Sequence, residues 1–508
     1  MKNALLLALS LASFTVLGQS QPAKPVPPAT PQYRPAYHFT PAAHWMNDPN
    51  GMVYYKGTYH LFFQHYPEAM VWGPMHWGHA TSQDLVNWKE QPIALFPDKL
   101  GMIFSGSAVL DEKNTSGFGK NGQVPLVAIF THHNPDEEKK GTQKHQYQSL
   151  AYSLDEGKTW TKYEGNPVLP NPGIQDFRDP KVSWNTAANK WVMTLATKDR
   201  ITFYSSPNLK EWTKLSEFGE KLGAHGGVWE CPDLFPLTLN GKTYWVLLVS
   251  INPGGPNGGS ATQYFVGQFD GKTFTPQTAT QKWIDWGKDD YAGVTWGNTG
   301  ARKIFLGWMS NWEYANQVPT SPWRSAMTAP RDLALKQVGS EIYLASTPSP
   351  EVAKLAQPAQ TLKNLTVKPE LALSDKIKLT TPQFQLKLNT KQLQDVAVVL
   401  SNAGGEELVI GYDKQANQYY IDRSKAGLSG FSSTFAGRHS GPRLATSPAA
   451  DLTLLFDVTS VELFADGGLT TMTEIFFPKQ PFTQLTLRST TGITLEALSY
   501  SKLAGTVK

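Results

Sequence analysis

The stretch TSQDLVNW, residues 81–88, recurs along the chain and decides the fold class. Related copies are YSLDEGKTW at residues 152–160 and YSSPNLKEW at residues 204–212, with a looser copy, GQFDGKTF, at residues 267–274. Each copy predicts a strand, a tight turn rich in Asp, Asn or Gly, and a closing aromatic residue. The closing aromatics stand at positions 88, 160, 212 and 274, a spacing that suits one four-stranded sheet with its loops.

A second repeat, out of phase with the first, carries acidic residues. Asp-Pro or Pro-Asp pairs at positions 48–49, 179–180 and 232–233 each precede an apolar strand, whose first aromatic lies 11 or 12 positions after the acid. Radially repeated sheets of this kind predict a β-propeller over residues 36–345, with five blades. The innermost strand of each blade lines the central funnel, so we expect Asp48, Asp179 and the segment Glu230–Asp233 at one shared pocket.

The rest of the chain also reads as strands. No long segment has the 3.6-residue period of an amphipathic helix, so the protein is predicted to be all-β. Tryptophan is absent after Trp323, and alternating segments such as residues 384–388 and 460–464 take over. This alternation predicts a β-sandwich over residues 361–508, joined to the propeller by a linker at residues 346–360.

The N-terminus predicts export. Residues 1–20 have the layout of a signal peptide, and residues 21–35 form a Pro-rich lead-in. The expected location is secreted: extracellular, periplasmic or at the cell surface. No other stretch is long and apolar enough to span a membrane.

Composition narrows the possible partners and the means of stabilisation. A chain with one cysteine has no internal disulfide framework. The net charge is +4 and there is no basic patch, so no nucleic-acid partner is expected. The oligomeric state is not indicated.

Three carboxylates in one confined pocket indicate chemistry. Like charges held close together raise one another's pKa, a cost that a purely structural protein avoids. A retaining glycosidase needs two such groups roughly 5 Å apart, one ionised to attack the anomeric carbon and one protonated for the leaving oxygen. The competing interpretation is that Asp-Pro pairs only begin strands, since both residues form turns well. Three such pairs in register, next to Trp and Asn, favour a shared active site over pairs that only begin strands.

Three longer blocks carry a resemblance to a known family. WMNDPNG at residues 45–51, FRDPK at residues 177–181 and WECPDLF at residues 229–235 resemble the conserved blocks of glycoside hydrolase family 32, the fructan hydrolases and invertases. The resemblance covers nearly the whole mature chain. In detail the chain is similar to bacterial levanases and exo-acting inulinases, as in FSGSA at residues 104–108 and SPWRS at residues 321–325.

The resemblance implies roles for individual residues. Asp48 is the expected nucleophile, Glu230 the expected general acid/base, and Asp179 the residue expected to hold fructose hydroxyls and stabilise the transition state, with Arg178 beside it. The residues expected around the terminal fructose by their positions in matching motifs are Asn47, Gln64, Trp72, Phe104, Ser105 and Trp312. Alternatives stay open. Trp72 and Trp312 are also consistent with ordinary core aromatics, and Arg178 is also consistent with a structural ion-pair partner of Asp179.

The function implied by the resemblance is that of a secreted retaining β-fructosidase. Its substrates are the terminal β-D-fructofuranosyl residues of levan or inulin, with sucrose as a further substrate. The alternatives are a sucrose-specific invertase or a fructosyltransferase using the same site, and a lectin-like propeller that binds fructan without cleaving it.

Neither a cofactor nor a metal is expected. The histidine pairs at 132–133 and at 76 and 79 lack a third ligand at zinc spacing. Cys231 is more plausibly a small residue packed behind Glu230, tuning that acid through a weak S–H contact, than a nucleophile.

Overall fold

The computed structural model describes residues 31–506, so the signal-peptide prediction and residues 21–30 of the lead-in lie outside the described residues. Within that range the only helical elements are α1 (Pro135–Lys139), α2 (Pro350–Ala353) and one 3₁₀ turn (Pro31–Tyr33). The all-β prediction is confirmed. Among the described residues no helix is long and apolar enough to cross a membrane.

Twenty-three strands form five sheets that follow one another along the chain, and every pairing within them is antiparallel except that of β20 with β1. Sheet 1 contains β1 (His44–Tyr55), β2 (Thr58–Tyr66), β3 (His76–Ser82) and β4 (Lys89–Leu95). Sheet 2 contains β5 (Met102–Leu110), β6 (Leu126–His133), β7 (Gln146–Ser153) and β8 (Thr161–Lys162). Sheet 3 contains β9 (Phe177–Asn185), β10 (Lys190–Thr197), β11 (Arg200–Ser206) and β12 (Thr213–Phe218). Sheet 4 contains β13 (Val228–Leu239), β14 (Lys242–Asn252), β15 (Ala261–Phe269), β16 (Phe274–Pro276) and β17 (Lys282–Trp283). Sheet 5 contains β18 (Tyr291–Thr295), β19 (Ile304–Met309), β21 (Ala326–Met327), β22 (Arg331–Val338) and β23 (Glu341–Pro348), while β20 (Trp323–Arg324) joins sheet 1.

The first strands of the five sheets form a ring. Strands β1, β5, β9, β13 and β18 pack against one another in this order, and β18 also packs against β1. Two pairings reinforce the junction of the first and last sheets: β20 runs parallel to β1, and Val53 bridges to Gly297. Sheets arranged radially around their first strands make a β-propeller, as the repeats predicted.

The TSQDLVNW repeat marks the outermost turn of the first four sheets. In sheet 1 the Asp84 carboxylate accepts hydrogen bonds from the Val86 and Asn87 amides, and the Trp88 indole donates to the Leu85 carbonyl. Sheet 3 repeats this pattern with Asn208 as the acceptor and Trp212 as the indole donor. A local Asx turn capped by its own tryptophan explains why this motif is visible in the sequence.

Twelve further strands form two six-stranded sheets. One sheet contains β24 (Gln360–Val367), β26 (Phe384–Thr390), β31 (Ala450–Asp457), β32 (Ser460–Ala465), β33 (Thr470–Ile475) and β35 (Ile493–Lys502). The other contains β25 (Glu370–Ala372), β27 (Val396–Ser401), β28 (Glu407–Asp413), β29 (Gln418–Lys425), β30 (Arg438–Pro442) and β34 (Gln484–Arg488). A single apolar cluster drawn from both sheets fills the space between them, which confirms the predicted sandwich. The segment predicted as a linker, residues 346–360, contains the end of β23 and helix α2.

Buried ion pairs join the propeller to the sandwich. Arg331 of β22 is fully buried and pairs with Asp285 and Asp290 of the propeller and with Glu462 of β32. A second fully buried cation, Arg423 of β29, contacts Asp289 and Glu474. His38, near the start of the described chain, contacts Asp457 and Glu462. The sandwich therefore packs on the propeller through charges that have no access to water.

Candidate active site

Each of the five inner strands contains a β-bulge at the same level. Two residues oppose one residue of the neighbouring strand at 47–48, 104–105, 179–180, 231–232 and 292–293. A bulge bends its strand and re-aims the local side chains, and bulges are enriched beside active sites. The ring therefore places five distorted positions around one end of the central channel.

The bulges show that the acidic residues of the repeat do not occupy equivalent positions in their strands. The Asp-Pro pairs at 48–49 and 179–180 appear equivalent in sequence, but the pairing register sets Asp179 level with Asn47 and Asp48 level with Pro180. In the same register Arg178, Glu230 and Tyr291 occupy equivalent positions, one residue before the bulge. The repeat therefore predicted the correct strands, but it did not indicate that Asp48 and Asp179 differ by one residue in register.

All ten residues predicted for the site line one cavity of about 300 Å³. They are Asn47, Asp48, Gln64, Trp72, Phe104, Ser105, Arg178, Asp179, Glu230 and Trp312. Residues that were not predicted for the sugar site complete the wall, and these are His133, Glu138, His145, Gln146, Gln175 and Asp176.

Asp48 is held by three donors. Asn47 Nδ2 donates to Oδ1 at 2.9 Å, Ser105 Oγ donates to Oδ2 at 2.8 Å, and the Cys231 thiol lies 3.3 Å from Oδ2. Burial raises the pKa of the Asp48 carboxyl, the negative charge of Glu230 raises it further, and the three hydrogen bonds act in the opposite direction. The carboxylate is thus fixed in orientation at the wall of the cavity.

Glu230 is held by a cation and a phenol. Arg178 donates to Oε1 from Nη2 at 2.8 Å and from Nε at 3.1 Å, while the Tyr291 hydroxyl donates to Oε2. Arg178 also donates to Asp176, and its Nε lies 4.0 Å from Asp179. The interpretation of Arg178 as a partner of Asp179 is therefore too narrow, because its closest contacts are Glu230 and Asp176.

Asp179 occupies a left-handed backbone position, with φ of 63°. Its Oδ2 accepts the Cys231 amide at 3.0 Å, and the Cys231 thiol lies 3.6 Å from the same atom. Burial raises the pKa of the Asp179 carboxyl, Arg178 opposes this, and the charges of Glu230 and Asp48 add to it. Three acidic groups therefore interact electrostatically around this cavity.

Cys231 contacts different acids from the one expected. Its thiol reaches Asp48 and Asp179, whereas the sequence suggested a contact with Glu230. Neighbouring strand residues point to opposite sides, and Cys231 is also a bulge residue with a left-handed φ of 45°, so its side chain does not follow that of Glu230. Burial raises the pKa of the Cys231 thiol well above its usual value, so the group is a poor thiolate nucleophile.

Aromatic side chains form the walls. Trp72 is 41% exposed and meets Phe104 edge-on, and Phe104 in turn stacks on His133 at 4.4 Å between ring centroids. Trp312 stacks on Trp45, whose indole donates to Asn47. Trp72 and Trp312 both line the cavity, and Trp312 also packs against the apolar cluster that contains Trp45 and Trp308.

A free hydrogen-bonding group also points to a ligand. The amide nitrogen of Gln64 is buried, lacks a partner among the described residues, and belongs to a cavity-lining side chain. Buried polar groups are ordinarily paired, so this donor is available to a ligand.

The candidate metal residues are dispersed. His132 contacts Ser149, His79 contacts His60, and His133 contacts Gln146 and Glu138 in the cavity wall. In residues 31–506 no group of three or more His, Cys, Asp or Glu side chains is arranged to hold a metal ion.

Tyr291 is a contact of Glu230 that the sequence did not indicate. It lies 61 positions after Glu230, outside every block of the family resemblance. Its position one residue before a bulge, level with Arg178 and Glu230, becomes visible only from the strand register.

Comparison with known proteins covers both domains. Residues 38–348 match the N-terminal domain of glycosyl hydrolases family 32, and residues 351–503 match the C-terminal domain of that family. The levanase of Bacillus subtilis (strain 168) is 46% identical over 472 residues, covering 91% of this chain and 68% of the levanase. The extracellular exo-inulinase of Aspergillus ficuum is 42% identical over 499 residues, covering 91% of this chain and 93% of that protein.

A solved structure gives the same result. The crystal structure of exo-inulinase from Aspergillus awamori has a TM-score of 0.85 and 40% sequence identity, covering 94% of this chain and 99% of that one. The matches include every block that carried the resemblance, and the chain belongs to glycoside hydrolase family 32.

Proposed function

We propose that this protein is a secreted, retaining, exo-acting β-fructosidase that removes terminal β-D-fructofuranosyl residues from fructans. The observation that carries the proposal is the pairing of two differently held carboxyl groups, Asp48 and Glu230, in one cavity beside Asp179. Similarity to a levanase and an extracellular exo-inulinase supports the substrate class and the secretion, with residues 1–20 as the signal peptide.

Asp48 is the proposed nucleophile. Its carboxylate attacks the anomeric carbon of the terminal fructose, and a covalent bond forms as the bond from that carbon to the leaving oxygen breaks. Hydrogen bonds from Asn47 and Ser105 favour the ionised form that this attack requires, and they fix the direction of approach.

Glu230 is the proposed acid and base. In the first step it gives its proton to the leaving oxygen, which takes the electron pair of the broken bond. In the second step its carboxylate removes a proton from water, the water oxygen bonds to the anomeric carbon, and Asp48 is released. Both steps occur at one group, so the contacts from Arg178 and Tyr291 must hold it in place throughout.

Asp179 is proposed to bind fructose hydroxyls. Its negative charge also stabilises the positive charge that develops on the sugar ring in the transition state. The cavity of about 300 Å³ is at the small end of the usual size range for ligand sites, which favours recognition of a chain end over a long polymer segment.

The decisive experiment is a time course of the purified protein with levan, inulin and sucrose. We expect free fructose as the sole early product from both polymers, whereas short oligomers would overturn exo cleavage. Longer fructo-oligosaccharides formed from sucrose would favour the transferase, and cleavage of sucrose alone would favour the invertase.

Stereochemistry and variants separate mechanism from binding. NMR should detect β-fructofuranose as the first anomer released, since inversion would give the α anomer. Glu230→Ala should abolish cleavage while fructan binding persists, and Asp199→Asn, which changes a half-exposed carboxylate outside the site, serves as the control. A wild-type protein that binds fructan without releasing fructose would support the lectin alternative.

A further inference from the structure

A short acidic segment of the propeller runs along the sandwich. Residues 285–290 lie between β17 and β18 beside β33, which is an edge strand of its sheet. The Trp286 amide donates to the Thr471 carbonyl at 2.7 Å, and the Asp289 amide donates to the Thr473 carbonyl at 3.1 Å. In the opposite direction, amides of β33 donate to the carboxylates of Asp285 and Asp289. The segment therefore covers an otherwise open sheet edge.

Arg423 is the centre of this contact. It belongs to β29 of the sandwich, is 1% exposed, and donates to Asp289 of the segment, to Tyr314 and to two backbone carbonyls. The Tyr314 hydroxyl in turn donates to Asp289 Oδ1 at 2.6 Å. One sandwich cation thus fixes two separate parts of the propeller.

Both of these parts continue directly into the active site. The residue after the segment is Tyr291, whose hydroxyl donates to Glu230. Two residues before Tyr314 is Trp312, which lines the cavity. The Asn311 side chain ties the two parts together by donating to the Lys288 carbonyl at 2.8 Å.

We infer that Arg423 of the sandwich is a positioning residue for the proposed acid/base: by holding Asp289 and Tyr314 it sets the position of Tyr291, and through Tyr291 that of the Glu230 carboxyl. This inference rests on the proposed function, because it assigns the sandwich a part in that same reaction. It gives the second domain a role in turnover in addition to its role in stability.

The buried charge suits such a role. A well-packed apolar contact of the same volume often stabilises a protein as well as a buried ion pair does. An arginine adds direction, because its planar group carries five donors in fixed geometry, and four acceptors are engaged here. A displacement at Asp289 is therefore passed along two residues of backbone to Tyr291.

The test is a double-mutant cycle on fructose release by the full-length protein. Tyr314→Phe removes one hydroxyl between Arg423 and Asp289, and Tyr291→Phe removes the donor to Glu230. We expect each single variant to lower kcat about tenfold, and the double variant to lose no more than Tyr291→Phe alone, since the two act in series. Arg423→Lys should lower kcat in the same way, as lysine keeps the charge and loses the fixed donors.

The split between kcat and KM gives a readout that stability alone does not move. Tyr314→Phe and Tyr291→Phe should lower kcat and leave KM for inulin within about twofold, because they displace the proposed acid/base and leave the side chains that line the cavity in place. The control is Asp466→Asn, which breaks a buried pair with Arg443 inside the sandwich. It should lower the unfolding temperature and leave kcat and KM unchanged.

Several outcomes decide the matter. Unchanged kcat in Tyr314→Phe, or losses that multiply in the double variant, would overturn the inference and leave the proposed function intact. The same holds if Asp466→Asn reduces kcat as strongly as Tyr314→Phe. If the wild-type protein releases no fructose, the proposed function fails and this inference fails with it. Should Arg423→Lys not fold, the milder Tyr314→Phe decides.

Discussion

Arg178 donates two hydrogen bonds to a single oxygen of Glu230, from Nη2 at 2.8 Å and from Nε at 3.1 Å. Its third nitrogen donates to Asp176, so one guanidinium orients two carboxylates at once. Charge-assisted contacts of this type are stronger than neutral ones and are directional. The orientation of the proposed acid/base therefore depends on the shape of the cation as well as on its charge.

Arg178→Lys should accordingly lower kcat/KM by about 100-fold, because lysine is a point charge that cannot make these contacts together and a displacement near 1 Å has an effect of this size. Steady-state kinetics on inulin measure the loss, and thermal unfolding verifies that the variant is folded. Arg200→Lys is the matched control, since Arg200 is a half-exposed cation of the same sheet that pairs outside the cavity. A change within threefold for Arg178→Lys would contradict the prediction.

The acidic limb of the pH profile should respond to Ser105. Burial and the charge of Glu230 raise the pKa of Asp48, and Ser105 opposes this by donating to Oδ2 at 2.8 Å. If Asp48 must be ionised to attack, activity falls as the pH drops through its pKa. Ser105→Ala should move that limb to higher pH, because the variant removes a hydrogen bond that favours the ionised carboxylate.

Ser107 provides the control for this shift. It lies two residues along the same strand and is buried, but its hydroxyl donates to the Pro180 carbonyl at 2.9 Å. Ser107→Ala should leave the acidic limb in place. Equal shifts for the two alanine variants would disprove a specific contact with Asp48.

Stability should fall at alkaline pH because of His38. Burial by itself lowers the pKa of His38, but hydrogen bonds to Asp457 and Glu462 outweigh burial and raise it from 6.5 to about 9. A raised folded-state pKa contributes stability that is complete below pH 6.5 and is lost as the pH rises through about 9. Unfolding temperatures between pH 6 and pH 10 should decline over this window, and His38→Asn should flatten the decline. A variant with an unchanged slope would refute the assignment.

Arg331→Met should destabilise the protein by about 3–5 kcal/mol, the usual effect of removing one partner from a buried ion cluster. It leaves the carboxylates of Asp285, Asp290 and Glu462 without their shared cation. Denaturant unfolding measures the loss. Arg488→Met is the control, since Arg488 is 45% exposed and its pairs with Glu370 and Glu407 should contribute less than about 1 kcal/mol. Similar losses for both variants would show that burial is not the cause.

Local features were predictable from the sequence, and cross-strand features were not. The Asx turn with its tryptophan is complete within eight residues, so Asp84 and Trp88 already indicate the repeated sheet. The position of a bulge depends on the partner strand, which is why Asp179 was equated with Asp48 when its counterpart is Asn47. The predicted contact of Cys231 with Glu230 was wrong for the same reason, because Cys231 also lies in a bulge.

Contacts between distant parts of the chain were also beyond prediction. Tyr291 follows two acidic residues, Asp289 and Asp290, and this context resembles a solvated turn. Those acids are instead neutralised by Arg423 and Arg331, the first of which is 134 positions away. No period or spacing within the sequence encodes such pairing.

The five bulges have a consequence for how this scaffold can change. At each bulge a residue is left out of the ladder of backbone hydrogen bonds, so its identity is not constrained by strand pairing. Substitutions at these positions can alter the chemistry at the mouth of the channel while the sheets stay intact. Five positions of the propeller, Asp48 and Asp179 among them, are thus free to vary without a change in the pairing that holds the sheets together.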